Sequence, residues 1–171
     1  MYVNYILVFV LTILTAQILN FHLYFVDPNN LIRQLFSDTT PDDPWSVGGF
    51  HDAKYVIGKG SPLASYGKAC LDCMHSSTIL VYHDHNSELQ MISGTGESGT
   101  KGPILIDGKA VNVSPGSSLA FAPISFESST NPKIALYCNI VQLTELHYNG
   151  TIWEKAGNFP YYMNFNTLGG A

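Results

Sequence analysis

Apolar positions run without a charged interruption from residue 2 to residue 26, and the first basic side chain is Arg33. A helix needs about 20 apolar residues to cross a hydrocarbon core of roughly 30 Å. The pattern therefore predicts a transmembrane helix over residues 1–27. A cleaved secretory signal is the competing reading, but cleavage after Ala16 puts Leu14 where a small residue is preferred. The apolar character also resumes at Ile18 and Leu19 and continues through Phe21, Leu23, Tyr24, Phe25 and Val26. A spanning helix requires that second half, and a removed signal does not. Tyr2 and Tyr5 at one end, with Tyr24 and Phe25 at the other, fit aromatic belts at two interfaces.

Pro28-Asn29-Asn30 stops this run, and Asn is a favoured N-cap, so a short juxtamembrane helix is expected over 31–36. A linker rich in Pro and Asp follows, Thr39-Thr40-Pro41-Asp42-Asp43-Pro44. From Phe50 onward the pattern changes to short β-branched or aromatic runs punctuated by Gly, Pro and Asn. These predict strands at 54–57, 78–84, 88–92, 104–106, 110–113, 118–122, 134–146 and 151–153. Asn149-Gly150 predicts a type I′ hairpin turn. No internal repeat is evident. The expected organisation is an anchor at 1–27, a helix and linker at 28–49, and a β-rich ectodomain at 50–171. The fold class expected is mainly β, a sandwich or jelly roll behind one N-terminal transmembrane helix.

Composition narrows the partners. The net charge is −5 and the eight basic residues are scattered, so no basic stripe exists to neutralise phosphates, and nucleic-acid binding is excluded. Charged residues make up 12% of the chain, against about a quarter in a typical domain. A surface so neutral and aromatic suits packing against other proteins.

Candidate chemistry is incomplete at each place it arises. Cys138 lies on a predicted strand and pairs with Cys70 or Cys73 if the compartment is oxidising, which leaves one thiol over. Cys70-x-x-Cys73-x-His75 lacks the second close pair of a zinc site, and no helix start follows to activate a redox pair. On a strand, His83 and His85 share a face, as two ligands of one ion do, and Glu88 follows. With Asp107-Gly108-Lys109 and Ser114-Pro115-Gly116 downstream, this order resembles the cupin pattern. That resemblance implies a metalloprotein using His83, His85 and Glu88, but the Glu spacing is one residue short and a last histidine is missing. Gly94-Thr95-Gly96-Glu97-Ser98-Gly99 matches the dinucleotide fingerprint in spelling only, because Thr100-Lys101-Gly102-Pro103 precludes the helix it needs. Neither a catalytic residue nor a cofactor is assigned. Asn112-Val113-Ser114 and Asn149-Gly150-Thr151 are glycosylation sequons if the domain is outside the cytosol. The tail from Phe159 to Phe165 is aromatic and serves as core or as a partner site.

The anchor, the Asp/Pro linker, the sparse cysteines and a mass of 18.8 kDa together resemble the per os infectivity factor 4 family of insect baculoviruses. The resemblance implies a non-enzymatic envelope protein of the occlusion-derived virion, in a complex used in oral infection. Its partners would be the lipid bilayer and other membrane-anchored envelope proteins, and its location the virion envelope. A small secreted structural or effector protein is the remaining alternative.

Overall fold

Residues 7–12, 20–37, 42, 44–51, 55–68, 77–95, 98–125 and 133–159 are described by a computed structural model, and they are built of strands. The first sheet comprises β1 (Leu7–Thr12), β2 (Asn20–Val26), β3 (Ile32–Ser37) and β4 (Ser46–Val47). A 3₁₀ turn at Gly49–His51 leads out of it. The second sheet comprises β5 (Leu63–Lys68), β6 (Ser77–His83), β7 (Leu89–Thr95) and β8 (Ser98–Pro103). A ribbon of β9 (Leu105–Ile106) and β10 (Lys109–Ala110) connects it to the third sheet. That sheet comprises β11 (Ala120–Ser125), β12 (Lys133–Asn139), β13 (Leu143–Tyr148) and β14 (Trp153–Asn158). Within each four-stranded sheet the spatial order is the chain order and every pairing is antiparallel.

The three meanders stand side by side. Strand β5 lies against β1 on one side and β11 on the other, so the sheets meet along their first strands. The second sheet is therefore covered on both faces. Leu63, Leu80, Tyr82 and Ile92 pack with Tyr24, Ile32, Phe50 and Ile57 on the side of the first sheet. Ala64, Ile79, Val81 and Leu89 pack with Ile134, Leu136, Cys138, Leu146 and Trp153 on the side of the third. Burying one such aliphatic side chain contributes about 1.5–3 kcal/mol. A strand buried on both faces reads as a continuous apolar run rather than an alternating one.

The main departure from expectation lies at the N-terminal end. The uncharged segment forms β1 and β2, paired from Leu7↔Phe25 to Thr12↔Asn20. Residues 1–6 and 13–19 lie outside the described residues. No helix among the described residues is long and apolar enough to cross a membrane. The expected juxtamembrane helix at 31–36 is strand β3, with Ile32 and Gln34 buried and Arg33 and Leu35 between them half-buried. Cross-strand pairing with β2 overrides the helix-cap signal of Asn30, which instead takes a positive φ of 59° in the β2–β3 turn. The fold is mainly β, as expected, but its sheets are three adjacent meanders and not the two faces of a sandwich or jelly roll. The type I′ turn is Asp107-Gly108, where both φ values are positive and Ile106 pairs with Lys109. At Asn149 the loop is longer, since Tyr148 pairs with Trp153, and the Asn149 side chain accepts the N–H groups of Thr151 and Ile152.

An internal repeat, unseen in the sequence, emerges from the hydrogen bonds. Asp27 Oδ1 accepts the N–H groups of Asn29 and Leu31 at 2.8 and 3.0 Å. Asp84 Oδ1, at the same place in the second sheet, accepts those of Asn86 and Glu88 at 2.8 and 3.1 Å. Asn30 and Ser87 both adopt positive φ there, and Leu31 and Glu88 each bridge to the following connector, at Val56 and Asn112. Entry to the next sheet repeats as well. Ser61 and Ser117 each follow a glycine of positive φ, and their hydroxyls accept the N–H groups of His83 and Asn139. The chain thus uses one sheet design in succession, with the Asp turn shared by the first two copies.

Asp27 also takes a hydrogen bond and an ion pair from Arg33, at 2.9 and 2.8 Å. Burial alone would raise its pKa; the Leu31 N–H, the Arg33 guanidinium and the Asn29 N–H outweigh that and hold the carboxyl below its usual range. A carboxylate of lowered pKa stabilises the fold fully above its unfolded value of about 3.9, and the contribution fades as pH falls through the folded value. We expect Asp27→Ala to cost about 1–3 kcal/mol at neutral pH, with the difference from the native chain shrinking in acid. Urea unfolding from pH 7 down to pH 3 measures it, and a pH-independent difference would count against the carboxylate as the source.

Candidate functional site

The residues singled out for metal chemistry do not converge. His83 is the last residue of β6, with Nδ1 3.2 Å from the Asp84 carbonyl oxygen and a buried Nε2 that has no hydrogen-bond partner. His85 lies beyond the strand, exposed in the turn, so the alternation that would align the two imidazoles ends before reaching it. Glu88 is half-buried at its bridge to Asn112. Among the described residues no three His, Cys, Asp or Glu side chains gather where a metal could sit. The cupin-type alternative thus lacks a site. Cys70 and Cys73 lie outside the described residues, as does the tail beyond Phe159. Cys138 is fully buried in the core between the second and third sheets and has no disulfide among the described residues. Of the two sequon asparagines, Asn112 is exposed and Asn149 half-buried.

A different cluster forms where the first two sheets face each other. Tyr82 and Gln90 are directly paired on β6 and β7, and Lys101 on β8 pairs with Ile92. All four therefore share the face turned to the first sheet. The Lys101 ammonium stands 5.8 Å from the Tyr82 ring centroid, within cation–π range. Gln90, 7% exposed, donates through Nε2 to Asp84 Oδ2 at 3.2 Å. Tyr55 arrives from the connector and donates its hydroxyl to the Gly99 carbonyl at 3.0 Å. Gly99 permits that approach, because a Cβ there would stand 2.6 Å from Ile92 Cγ2 and 3.2 Å from the Tyr55 hydroxyl. The Tyr82 hydroxyl is buried and has no hydrogen-bond partner. Its pKa is pushed up, first by burial and then by the negative charge of Asp84 and the neighbouring Tyr55. The Tyr82 phenol thus stays protonated at any ordinary pH.

Beneath this cluster the two sheets are tied by polar contacts. The Tyr24 hydroxyl donates to Thr78 Oγ1 at 3.2 Å and accepts from Gln34 Nε2 at 3.2 Å. Phe50 stacks edge-on against Tyr24 at 5.5 Å and leans on Tyr55 at 5.9 Å. The rings that hold Tyr55 in place are thus anchored in the first sheet. The corresponding gap between the second and third sheets differs. At the position of the paired Gly94 and Gly99 it carries Tyr148 and Trp153, stacked at 4.9 Å. At this one pair of positions the second gap carries aromatic rings and the first carries glycine.

Three four-stranded up-and-down sheets joined along their inner strands are the repeating unit of a β-propeller. Comparison with solved structures agrees. AofleA from Arthrobotrys oligospora superposes with a TM-score of 0.66 at 21% identity, over 82% of this chain and 39% of that one. The Aleuria aurantia lectin, bound to α-methyl-L-fucoside, gives 0.65 at 21% identity, over 82% and 44%. A fucose lectin from Kordia zhangzhouensis, bound to methyl-fucoside, gives 0.60 at 10% identity, over 83% and 93%. The sheets are propeller blades. The chain spans about two fifths of the length of the first two proteins, and the Aleuria lectin is itself a six-bladed propeller. No family model matches the chain, and no curated protein does.

These findings overturn the resemblance to per os infectivity factor 4 and what followed from it. The virion-envelope role, the envelope-protein partners and the bilayer as partner all rested on an anchor whose described residues build the first blade. The Aleuria and Kordia proteins, which share this fold, are lectins described with bound fucosides.

The core between the second and third blades yields one prediction. Burial pushes the Cys138 thiol up to about 11, with Lys155 opposing weakly. Thiolate is the reactive species. In a Cys70→Ser/Cys73→Ser variant, Ellman's reagent is expected to leave the remaining thiol unmodified in buffer and to titrate one thiol in denaturant. Rapid labelling of the folded variant would contradict the packing of β12.

Proposed function

We propose that this protein is a non-enzymatic carbohydrate-binding protein, with an α-L-fucoside as its ligand class, and that the cleft between the first two blades receives the sugar. The observation that carries the reading is the Tyr55–Tyr82–Asp84–Gln90–Lys101 cluster, set between blades of a fold shared with fucose lectins. A sugar offers hydroxyls that donate and accept, and an apolar face of C–H groups. Lys101 supplies donors, Asp84 Oδ2 retains acceptor capacity beyond its bond from Gln90, and the tyrosines supply rings and hydroxyls. No bond is made or broken. A location outside the cytosol, where glycans are displayed, goes with this reading, with Asn112 and Asn149 as acceptors of glycan.

Isothermal titration with α-methyl-L-fucoside, backed by a glycan array, tests it. Saturable binding is expected, weakened at least tenfold, or about 1.4 kcal/mol, by Lys101→Ala and by Tyr55→Phe while the circular dichroism is unchanged. Absence of any sugar binding, or binding indifferent to both substitutions, would sink the proposal.

A further inference from the structure

The loop that joins β13 to β14 brings an amide, a glycine and two backbone donors together in a reactive order. Asn149 is the single asparagine of the sequence that precedes a glycine. Its side-chain Oδ1 accepts the N–H groups of Thr151 and Ile152, each at 3.0 Å. Its own N–H donates to the Ile152 carbonyl at 3.3 Å, so residues 149–152 close on themselves. The Tyr148 hydroxyl donates to the Gly150 carbonyl at 2.9 Å, and Gly150 takes a φ of 96° that favours glycine. Among the described residues, no hydrogen bond engages the Gly150 N–H.

Such a loop is set up for an intramolecular acyl transfer. Attack of the Gly150 nitrogen on Asn149 Cγ closes a succinimide ring, and glycine places no Cβ beside the attacking atom. Negative charge then develops on Oδ1, where two N–H groups already point. Donors aimed at developing charge act as an oxyanion hole. Tethering nucleophile to electrophile removes the entropic cost of their encounter. As the bond from Gly150 N to Cγ forms, the Cγ–Nδ2 bond breaks. Nδ2 leaves as ammonia and carries away the proton that the Gly150 nitrogen gave up. Water then opens the imide at either carbonyl, which leaves aspartate or isoaspartate at position 149.

We propose that Asn149 is a site of spontaneous deamidation, promoted by the fold of its own loop. The aspartate product suits the loop as it stands. Asp27 and Asp84 already show carboxylates gathering two backbone N–H groups in the same manner, and a charged acceptor strengthens such bonds. The isoaspartate product does not suit it, because the main chain then runs through Cβ and Cγ and lengthens the loop. That draws the Gly150 carbonyl away from the hydroxyl of Tyr148, whose ring stacks on Trp153 at 4.9 Å. The reaction also removes the nitrogen to which a glycan attaches in the Asn149-Gly150-Thr151 sequon. Glycosylation and deamidation therefore exclude each other at this loop. The chemistry is independent of sugar binding by the first two blades.

Incubation of the full chain, produced without glycan, in mildly alkaline buffer at body temperature tests this. Peptide mapping by mass spectrometry is expected to find amide replaced by acid at position 149 ahead of every other asparagine, as two chromatographic species. The rate in the folded chain is expected to exceed that in guanidinium chloride roughly tenfold. Asn149→Gln should abolish the change in that peptide, and tryptophan fluorescence should drift with time in the native chain but not in the variant. A folded-chain rate equal to or below that of the unfolded chain, or another asparagine modified first, would overturn the proposal.

Discussion

A four-stranded sheet with apolar side chains on both faces cannot stand alone in water; it must be covered twice. The middle blade meets that demand completely, with Leu80, Tyr82 and Ile92 turned to one neighbour and Ile79, Val81 and Leu89 to the other. Everything else follows from it. The first strands must lie together at the centre so that successive sheets can stack face to face, and the connectors must cross from the outer edge of one blade to the inner strand of the next. Phe50, Ile57, Ile104 and Val111 ride on those crossings and plug the gaps between blades.

Stacking alone does not fix register, and a slip of one residue would turn each strand's core face outward. The Asp turns between β2 and β3 and between β6 and β7 prevent that. Each carboxylate gathers two backbone N–H groups and one side chain, so the turn closes at a single length. The same device serves the cleft, since Asp84 both closes its turn and holds Gln90 in place. A structural pin and a wall of the proposed sugar site are one residue.

Much of the outer fold was legible in the sequence, and the reasons for the failures are physical. Strands β6 and β7 were readable within a few residues because β-branched runs flank the turn at Asn86-Ser87. The expected strand at 134–146 is two strands, β12 and β13, because the Ile140–Gln142 turn carries no glycine or proline to announce it. Strand β8 was invisible: Ser98, Gly99, Lys101 and Pro103 have weak strand preference, and β7 recruits them. The first blade was missed because an uncharged apolar run is compatible with a helix in lipid and equally with a pair of hydrogen-bonded strands. The repeat escaped notice because its shared residues are few, among them Leu23 with Leu80, Asp27 with Asp84 and Gly60 with Gly116. No sequence signal could assemble the cleft. Lys101 stood out only as part of the stretch that precludes a helix after the glycine fingerprint, and Tyr55 joins it only through the stacking of two blades.

The contrast between Gly94 with Gly99 and Tyr148 with Trp153 has a meaning for valency. Successive gaps of one repeated design differ at a pair of facing positions on the third and fourth strands, glycine in one and aromatic in the other. On the proposed sugar-binding reading, the number of sites such a stack of blades displays is adjustable two residues at a time, without touching the fold. Avidity for a surface rises steeply with the number of sites engaged at once, so under that proposal these paired positions would set adhesion more strongly than any improvement within one site.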